Sequence, residues 1–293
     1  MGVLRAIMIG DVVGDPGLEI LESRLPALIN ENAANFVMVN GENAAGGFGL
    51  TGPLLERIFA AGADVVTGGN HIWEKREFWS VLDTEKRVIR PMNYPAGSAG
   101  RGWVELEKPS PWDGTPIPWL AINLQGREFM TPLDCPFKTY DAFEAETGIP
   151  VTEIHPILDS VGFLPDIMQR NPIILVDFHA ESSREKEALA FYLDGRASVV
   201  AGTHTHVQTA DEKILPQGTA YISDLGMTGA SGAVIGMEPK ICIDRAKTQV
   251  LYRMEAVADS SKALVQGIIV EIDDETKKAL SIQRFSLPAN PAA

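Results

Sequence analysis

The sequence predicts an α/β protein built on a mostly parallel sheet with helical cover. Two observations carry that reading. Short apolar runs alternate with segments of helical period from Arg5 to Thr67, the signature of strand–helix–strand units. The runs Arg5–Gly10, Phe36–Asn40 and Ile173–Phe178 are apolar nearly throughout, as in strands buried on both faces, and do not alternate like a half-exposed sheet.

Taken in order, Arg5–Gly10 is the first strand, and it ends in Asp11-Val12-Val13-Gly14-Asp15-Pro16-Gly17. Asp15 before Pro16 suits a helix N-cap with Pro at the first position. The helix that follows carries Leu18, Ile20, Leu21, Leu25, Leu28 and Ile29, and Pro26 should kink or divide it. Phe36–Asn40 is the second strand, closed by Gly41-Glu42-Asn43 and the glycine-rich Gly46-Gly47-Phe48-Gly49. Thr51 is placed to cap a helix holding Leu54, Leu55, Ile58 and Phe59. Asp64–Thr67 is the third strand, ending in Gly68-Gly69-Asn70-His71.

A short helix is expected near Glu74–Leu82, then strands at Gly102–Leu106 and Pro118–Leu124 flanking a Pro-rich turn. Residues 139–169 read as a peripheral helical segment containing His155, a surface or cap histidine. Ile173–Phe178 is a strand ending in His179-Ala180-Glu181, and Ser182 or Ser183 caps the next helix. Ala197–Ala201 leads into Gly202-Thr203-His204-Thr205-His206. Thr219–Asp224 is a strand, Gly226–Gly229 a loop, and Val265–Ile272 with Leu280–Phe285 a closing hairpin. No internal repeat or long linker divides the 293 residues, so one domain over 1–293 is expected.

Composition excludes several classes. Hydrophobic content of 45% and charged content of 22% are ordinary for a globular chain. No apolar run approaches the roughly 20 residues of a membrane span. A formal net charge of −14 works against binding long nucleic acid or an anionic membrane. A small phosphorylated substrate stays compatible if metal cations supply positive charge locally. The two cysteines, Cys135 and Cys242, lie far apart and read as packing residues in a reducing compartment. The N-terminus lacks a signal-peptide pattern. A cytoplasmic location is expected, and the sequence leaves room for a homo-oligomer.

Metal-ligand residue types recur at five strand ends: Asp11; Glu42 with Asn43; Asn70 with His71; His179; and His204 with His206. Singly, each has a bland reading as a turn-former or a packed histidine. Together they predict one site, because ligands of open α/β sheets bind outside the carboxyl ends of the strands. One ion uses about three to six ligands, and the surplus fits two ions bridged by a carboxylate. Nitrogen and oxygen donors without thiolate suit iron, manganese, zinc or similar ions and do not choose among them; iron or manganese is the expectation, with zinc also possible.

The ordered motifs are similar to those of calcineurin-like binuclear metallophosphoesterases, with departures. Val13 stands where a histidine is usual, Glu42 where an aspartate bridges, Ile72 where an acid follows Asn-His, and Gly202-Thr203 lengthens the approach to His204. With Gly41–Gly47, Asp177–Glu181, Gly202–Ala210 and Asp224–Gly229, the chain resembles the YmdB-like bacterial phosphodiesterases over nearly its whole length, except about Ala145–Gly162. The resemblance implies a four-layer α/β/β/α sandwich and two transition-metal ions. One ion would be held by Asp11, Glu42, Asn43 and His206, and the other by Glu42, Asn70, His179 and His204, with Glu42 bridging. It implies His71 as the general acid and small nucleotides, 2′,3′- or 3′,5′-cyclic, as substrates. The competing readings are a metal-dependent amidohydrolase on a (β/α)₈ barrel and a non-catalytic binder whose Gly10–Gly17 loop cradles a phosphate. A barrel normally carries His-x-His on its first strand, whereas here it comes late. Asp11 and Asp15 would repel an anion at a phosphate loop.

Overall fold

The computed structural model describes residues 2–148 and 170–289. The chain opens with β1 (Val3–Ile9) and, after a break at Gly10, β2 (Asp11–Val12). Helix α1 (Gly14–Asn32) follows, then β3 (Phe36–Asn40), α2 (Gly52–Ala60) and β4 (Val65–Thr67). A 3₁₀ turn at Arg76–Phe78 leads into α3 (Trp79–Thr84) and β5 (Val88–Ile89). Next come β6 (Trp103–Pro109), β7 (Pro116–Gln125), α4 (Pro136–Gly148), β8 (Ile173–His179), α5 (Ser183–Tyr192) and β9 (Val199–Thr203). The remaining elements are β10 (Lys213–Ile214), β11 (Ala220–Ile222), β12 (Met227–Ala230), α6 (Pro239–Thr248), β13 (Ala263–Asp273) and β14 (Ala279–Pro288).

The strands form two sheets. One has the order β2-β12-β13-β1-β3-β4-β5, with β14 on β13; the other has the order β10-β11-β9-β8-β7-β6. The pairs β1/β3, β3/β4 and β4/β5 are parallel, as are β7/β8, β8/β9 and β9/β11. All these strands therefore deliver their carboxyl ends to the same edge of their own sheet. Successive side chains of a strand point to opposite faces. On β1, Ile7 and Ile9 join a core with Leu18, Leu21 and Leu25 of α1 and Leu55 and Ile58 of α2. Leu4, Ala6 and Met8 face the other way, into a core shared with Trp119 and Ala121 of β7, Leu175 of β8 and Val199 of β9. Phe36 stacks on Trp119 across that interface, ring centroids 4.9 Å apart and 8° from parallel. The far face of the second sheet packs Leu120, Val176 and Val200 against Tyr140 and Phe143 of α4 and Leu189 of α5. The layers are helix, sheet, sheet, helix, the four-layer sandwich expected. Two open sheets packed face to face exclude the (β/α)₈ barrel.

Several local readings change. Helix α1 starts at Gly14 with Val13 at the N-cap, so Asp15 sits in its first turn, where a carboxylate complements the positive helix end. The helix is not divided at Pro26, because Leu25 and Leu28 on either side are buried and hold it to the sheet. Thr51 occupies the N-cap of α2 without a side-chain capping bond, whereas Ser182 accepts from the Glu185 amide at 3.2 Å. Residues 226–229 are not merely a loop: β12 pairs in parallel with β2, Met227 to Asp11 and Thr228 to Val12. The peripheral segment is helical through α4, and residues 149–169, with His155, lie outside the described residues. Both cysteines are free, and Cys242 packs on Val13, Met227 and Met237. Among the described residues no helix is long and apolar enough to cross a membrane.

Candidate metal centre

The two sheets bring their carboxyl ends together, and the polar residues that end the strands meet there. Asp11, Glu42 and His179 are fully buried, and one ligand atom of each lies within 4.8 Å of the others. Three acceptor or donor atoms converge on His179 Nε2: Glu42 Oε1 at 2.9 Å, Asn70 Oδ1 at 2.9 Å and His204 Nδ1 at 3.0 Å. A single ring nitrogen cannot satisfy three partners. Adjacent ligands of an ion bound at about 2.1 Å sit about 3 Å apart in octahedral geometry. This spacing is that of a ligand shell.

A second group lies beside it. The Asn43 amide nitrogen is 3.4 Å from Asp11 Oδ1, 3.5 Å from Glu42 Oε1 and 3.3 Å from His206 Nε2. His206 Nε2 is 3.6 Å from Asp11 Oδ1. The Asn43 side-chain oxygen is buried with no hydrogen-bond partner, an arrangement that costs free energy unless a cation or donor meets it. Glu42 belongs to both groups. A half-turn of the Asn43 amide exchanges its two ends and brings that oxygen to the side of Asp11, Glu42 and His206; in that orientation the donor set fits metal ions.

The backbone is bent to make this possible. His204 and His206 have φ of 102° and 64°, left-handed values that cost a non-glycine residue about 1–3 kcal/mol each. Buried Asp224 holds the intervening Thr205, accepting from its amide at 3.1 Å and its hydroxyl at 2.8 Å. Buried Lys186 balances the Asp224 charge at 2.8 Å. The Asp11 carboxylate accepts from the His204 amide at 3.2 Å. Gly69 lies against the His179 ring so closely that a Cβ there would come within 2.4 Å of Nε2. On the far side of the cluster, His206 Nδ1 reaches the Ile235 carbonyl at 2.9 Å. A carbonyl only accepts, so Nδ1 carries the proton and Nε2 faces the site.

The electrostatics follow from burial and pairing. Burial alone would lift the Asp11 pKa, but His206 and the nearby His179 hold it well below the usual carboxylate range. The same pairing outweighs burial at His206 and raises it to about 9. Burial, with the charge of His179, pushes His204 down to about 3, so this ring stays neutral with one nitrogen lone pair to offer. Glu42 is lowered by His179 against the effect of burial.

His71 stands apart. Its amide donates to Glu42 Oε2 at 3.0 Å. Its ring is 28% exposed with Nδ1 3.4 Å from Glu74, edge-on to Phe48 at 4.9 Å. Every candidate residue except His71 therefore enters the ligand cluster by side chain. The Gly10–Gly17 segment makes no phosphate cradle, because the amides of Gly10, Val13, Gly14 and Gly17 donate to Gln266, Thr228, Asn43 and Val13 carbonyls. Sequence reasoning passed over the supporting residues Asn40, Thr67, Asp177, Lys186, Thr203 and Asp224. For Asn40, Thr67, Asp177 and Thr203 the signal is a polar side chain inside or ending an otherwise apolar buried strand; Asp224 lies just past such a strand, and Lys186, on helix α5, gives no such signal.

The chain is similar to known proteins over nearly its whole length. A 2′,3′-cyclic-nucleotide 2′-phosphodiesterase of Bacillus subtilis is 42% identical over 282 residues, covering 96% of each chain. A putative phosphatase/phosphodiesterase of Mycoplasma pneumoniae is 32% identical over 98% of this chain and 94% of its own. Among solved structures, a hypothetical protein from Thermus thermophilus superimposes with a TM-score of 0.81 at 35% identity, over 97% of this chain and 99% of that one. A novel phosphatase from Mycoplasma pneumoniae gives a TM-score of 0.83 at 29% identity, over 98% and 94%. The model of the family described as YmdB-like protein matches residues 7–285, and the chain belongs to that family.

Proposed function

We propose that the protein is a dimetal-dependent phosphodiesterase acting on small nucleotides, 2′,3′-cyclic ones before 3′,5′-cyclic ones. The observation that carries the reading is Glu42, whose carboxylate lies within reach of both halves of the ligand cluster. The name of the Bacillus relative, at 42% identity, supports the substrate class. Asp11, Glu42, Asn43 and His206 would hold one ion, and Glu42, Asn70, His179 and His204 the other. Iron or manganese suits this donor set better than a harder ion, and zinc is compatible. Bound there, the ions supply Lewis-acid stabilisation of phosphoryl charge and an activated water.

The chain's own residues do the rest. Glu42 supplies negative charge to both halves and, through its second oxygen, anchors the His71 amide at 3.0 Å. That anchor keeps the His71 ring at the mouth of the site. There it is the leaving-group acid: an imidazolium ring can give the departing ribose oxygen the proton it needs. The Phe48 edge limits the ring's swing. Burial of Asp11, Glu42 and His179 excludes bulk water from the inner side of the cluster, strengthening every charge interaction in it.

The test is hydrolysis of 2′,3′-cyclic AMP by protein reloaded with Mn²⁺, with product analysis and metal counting on the same sample. The reading requires two ions per chain, 3′-AMP as product and a kcat/KM above that for 3′,5′-cyclic AMP. A limit of one ion, or faster turnover of the 3′,5′ isomer, overturns it.

A further inference from the structure

His179 offers Nε2 to the cluster, and its other ring nitrogen is tied to a buried network. Nδ1 lies 2.9 Å from Thr203 Oγ1, and that hydroxyl lies 2.6 Å from Asp177 Oδ1. Asp177 precedes His179 by two residues on β8, so both side chains leave the same face. Thr203 is the register partner of His179 on β9. The other Asp177 oxygen accepts from the Thr67 hydroxyl, a short contact, and from the Asn40 amide at 3.2 Å. Thr67 and Asn40 end strands of the opposite sheet.

The proton directions follow from counting. Thr67, Asn40 and Thr203 are all placed to donate to Asp177, which suits a carboxylate acceptor. A hydroxyl has one proton. If Thr203 gives its proton to Asp177, it can only accept from His179. Nδ1 must then carry the ring proton, and Nε2 must present its lone pair where Glu42, Asn70 and His204 converge. We propose that Asp177 and Thr203 are positioning residues that fix the Nδ1–H tautomer of His179 and thereby set the affinity of the cluster for its ion. This rests on the dimetal reading above. Supports of this kind typically change metal affinity about 10–100-fold when removed.

The test has two arms. In metal-stripped wild-type protein, at a pH where the ring is neutral, ¹⁵N NMR should find the His179 proton on Nδ1. A proton on Nε2 overturns the proposal without any variant having to fold. In the second arm, Mn²⁺ affinity is measured by chelator competition, and Co²⁺-loaded protein reports the ligand field by its visible spectrum. Thr203→Val should weaken one of the two ions about 10–100-fold and shift the Co²⁺ bands, and Thr203→Ser should restore both. Thr67→Val removes a hydroxyl from the same carboxylate but not from the relay; it should lower Tm and leave affinity near wild type. If wild type binds two ions and Thr203→Val binds both unchanged, the relay is wrong and the dimetal reading stands. If wild type binds none, both fall. If Thr67→Val weakens the ion as much as Thr203→Val, the network acts only as packing and the relay is wrong.

Discussion

The two halves of the ligand cluster are built differently. Around His179 the ligand atoms lie 2.9–3.0 Å apart, and the ring is seated on strands and backed by buried side chains. Around His206 the separations are 3.3–3.6 Å. Its ring is braced by the Ile235 carbonyl, which belongs to the 231–262 excursion. That excursion carries Ile235, Ile243 and Leu251 exposed at 45%, 54% and 83%, and α6 within it buries no residue. A rigid element positions a ligand better than a loop does. The difference teaches that the His179 half is preorganised and should fill first, with the His206 half closing around the second ion.

The sharpest way to break this comparison is to remove what the halves share. Glu42→Ala should empty both, leaving well under one Mn²⁺ per chain and lowering kcat on 2′,3′-cyclic AMP by at least ~10³-fold, since bridging charge is lost from both ions. Retention of one tightly held ion would show that Glu42 serves a single half. His71→Ala should keep both ions and lose about 10²–10⁴-fold in kcat on the cyclic nucleotide. With a nitrophenyl phosphodiester, whose leaving group needs little protonation, the loss should shrink. Equal losses on the two substrates would remove His71 from the acid role.

Asn43→Ala sharpens the comparison, because apart from the shared Glu42 its amide touches only the looser half. One ion should remain, and the second should bind about 10-fold or more weakly, a neutral donor contributing less than a shared carboxylate. Loss of both ions would mean the halves do not fill separately. The smallest effect concerns pH. In metal-stripped protein the folded state holds the His206 proton more tightly than the unfolded chain, its pKa being raised from 6.5 to about 9. That stabilisation is present in full below pH 6.5 and is lost as pH rises toward 9, by up to ~3 kcal/mol. Denaturant midpoints of stripped protein should therefore fall across that window. With Mn²⁺ present the trend should reverse, since binding needs the unprotonated ring. A flat profile in stripped protein would break the Asp11–His206 pairing.

The strand ends were legible because continuous apolar runs stop at polar residues, and the parallel sheet sends those residues to one edge. The layer arrangement came only with the family resemblance, since periodicity cannot say which sheet a buried strand joins. Strand β12 reads as a loop because Gly226 and Gly229 bracket two residues that show no period. Helix α6 gave no signal because it buries no side chain, leaving no apolar face for a helical pattern. The Asp177 relay stayed hidden for another reason. An aspartate near a strand end is ordinary, and only its partners on the opposite sheet make it a site residue.

Asp11, Glu42, Asn43 and Asn70 follow strands of one sheet, and His179, His204 and His206 end or follow strands of the other. The ions of the proposed site would therefore rivet two leaves that otherwise adhere, at this end, through polar contacts such as Asp177 with Thr67 and Asn40. Stripping them should unfasten the book at its open margin while the spine, with Phe36 stacked on Trp119, stays shut. Amide hydrogen exchange at Gly68, Gly69 and Thr203 would then quicken on chelation, while exchange at Met38 and Ala121 would hold. Uniform quickening throughout both sheets would mean that the metal supports the whole sandwich and not one margin of it.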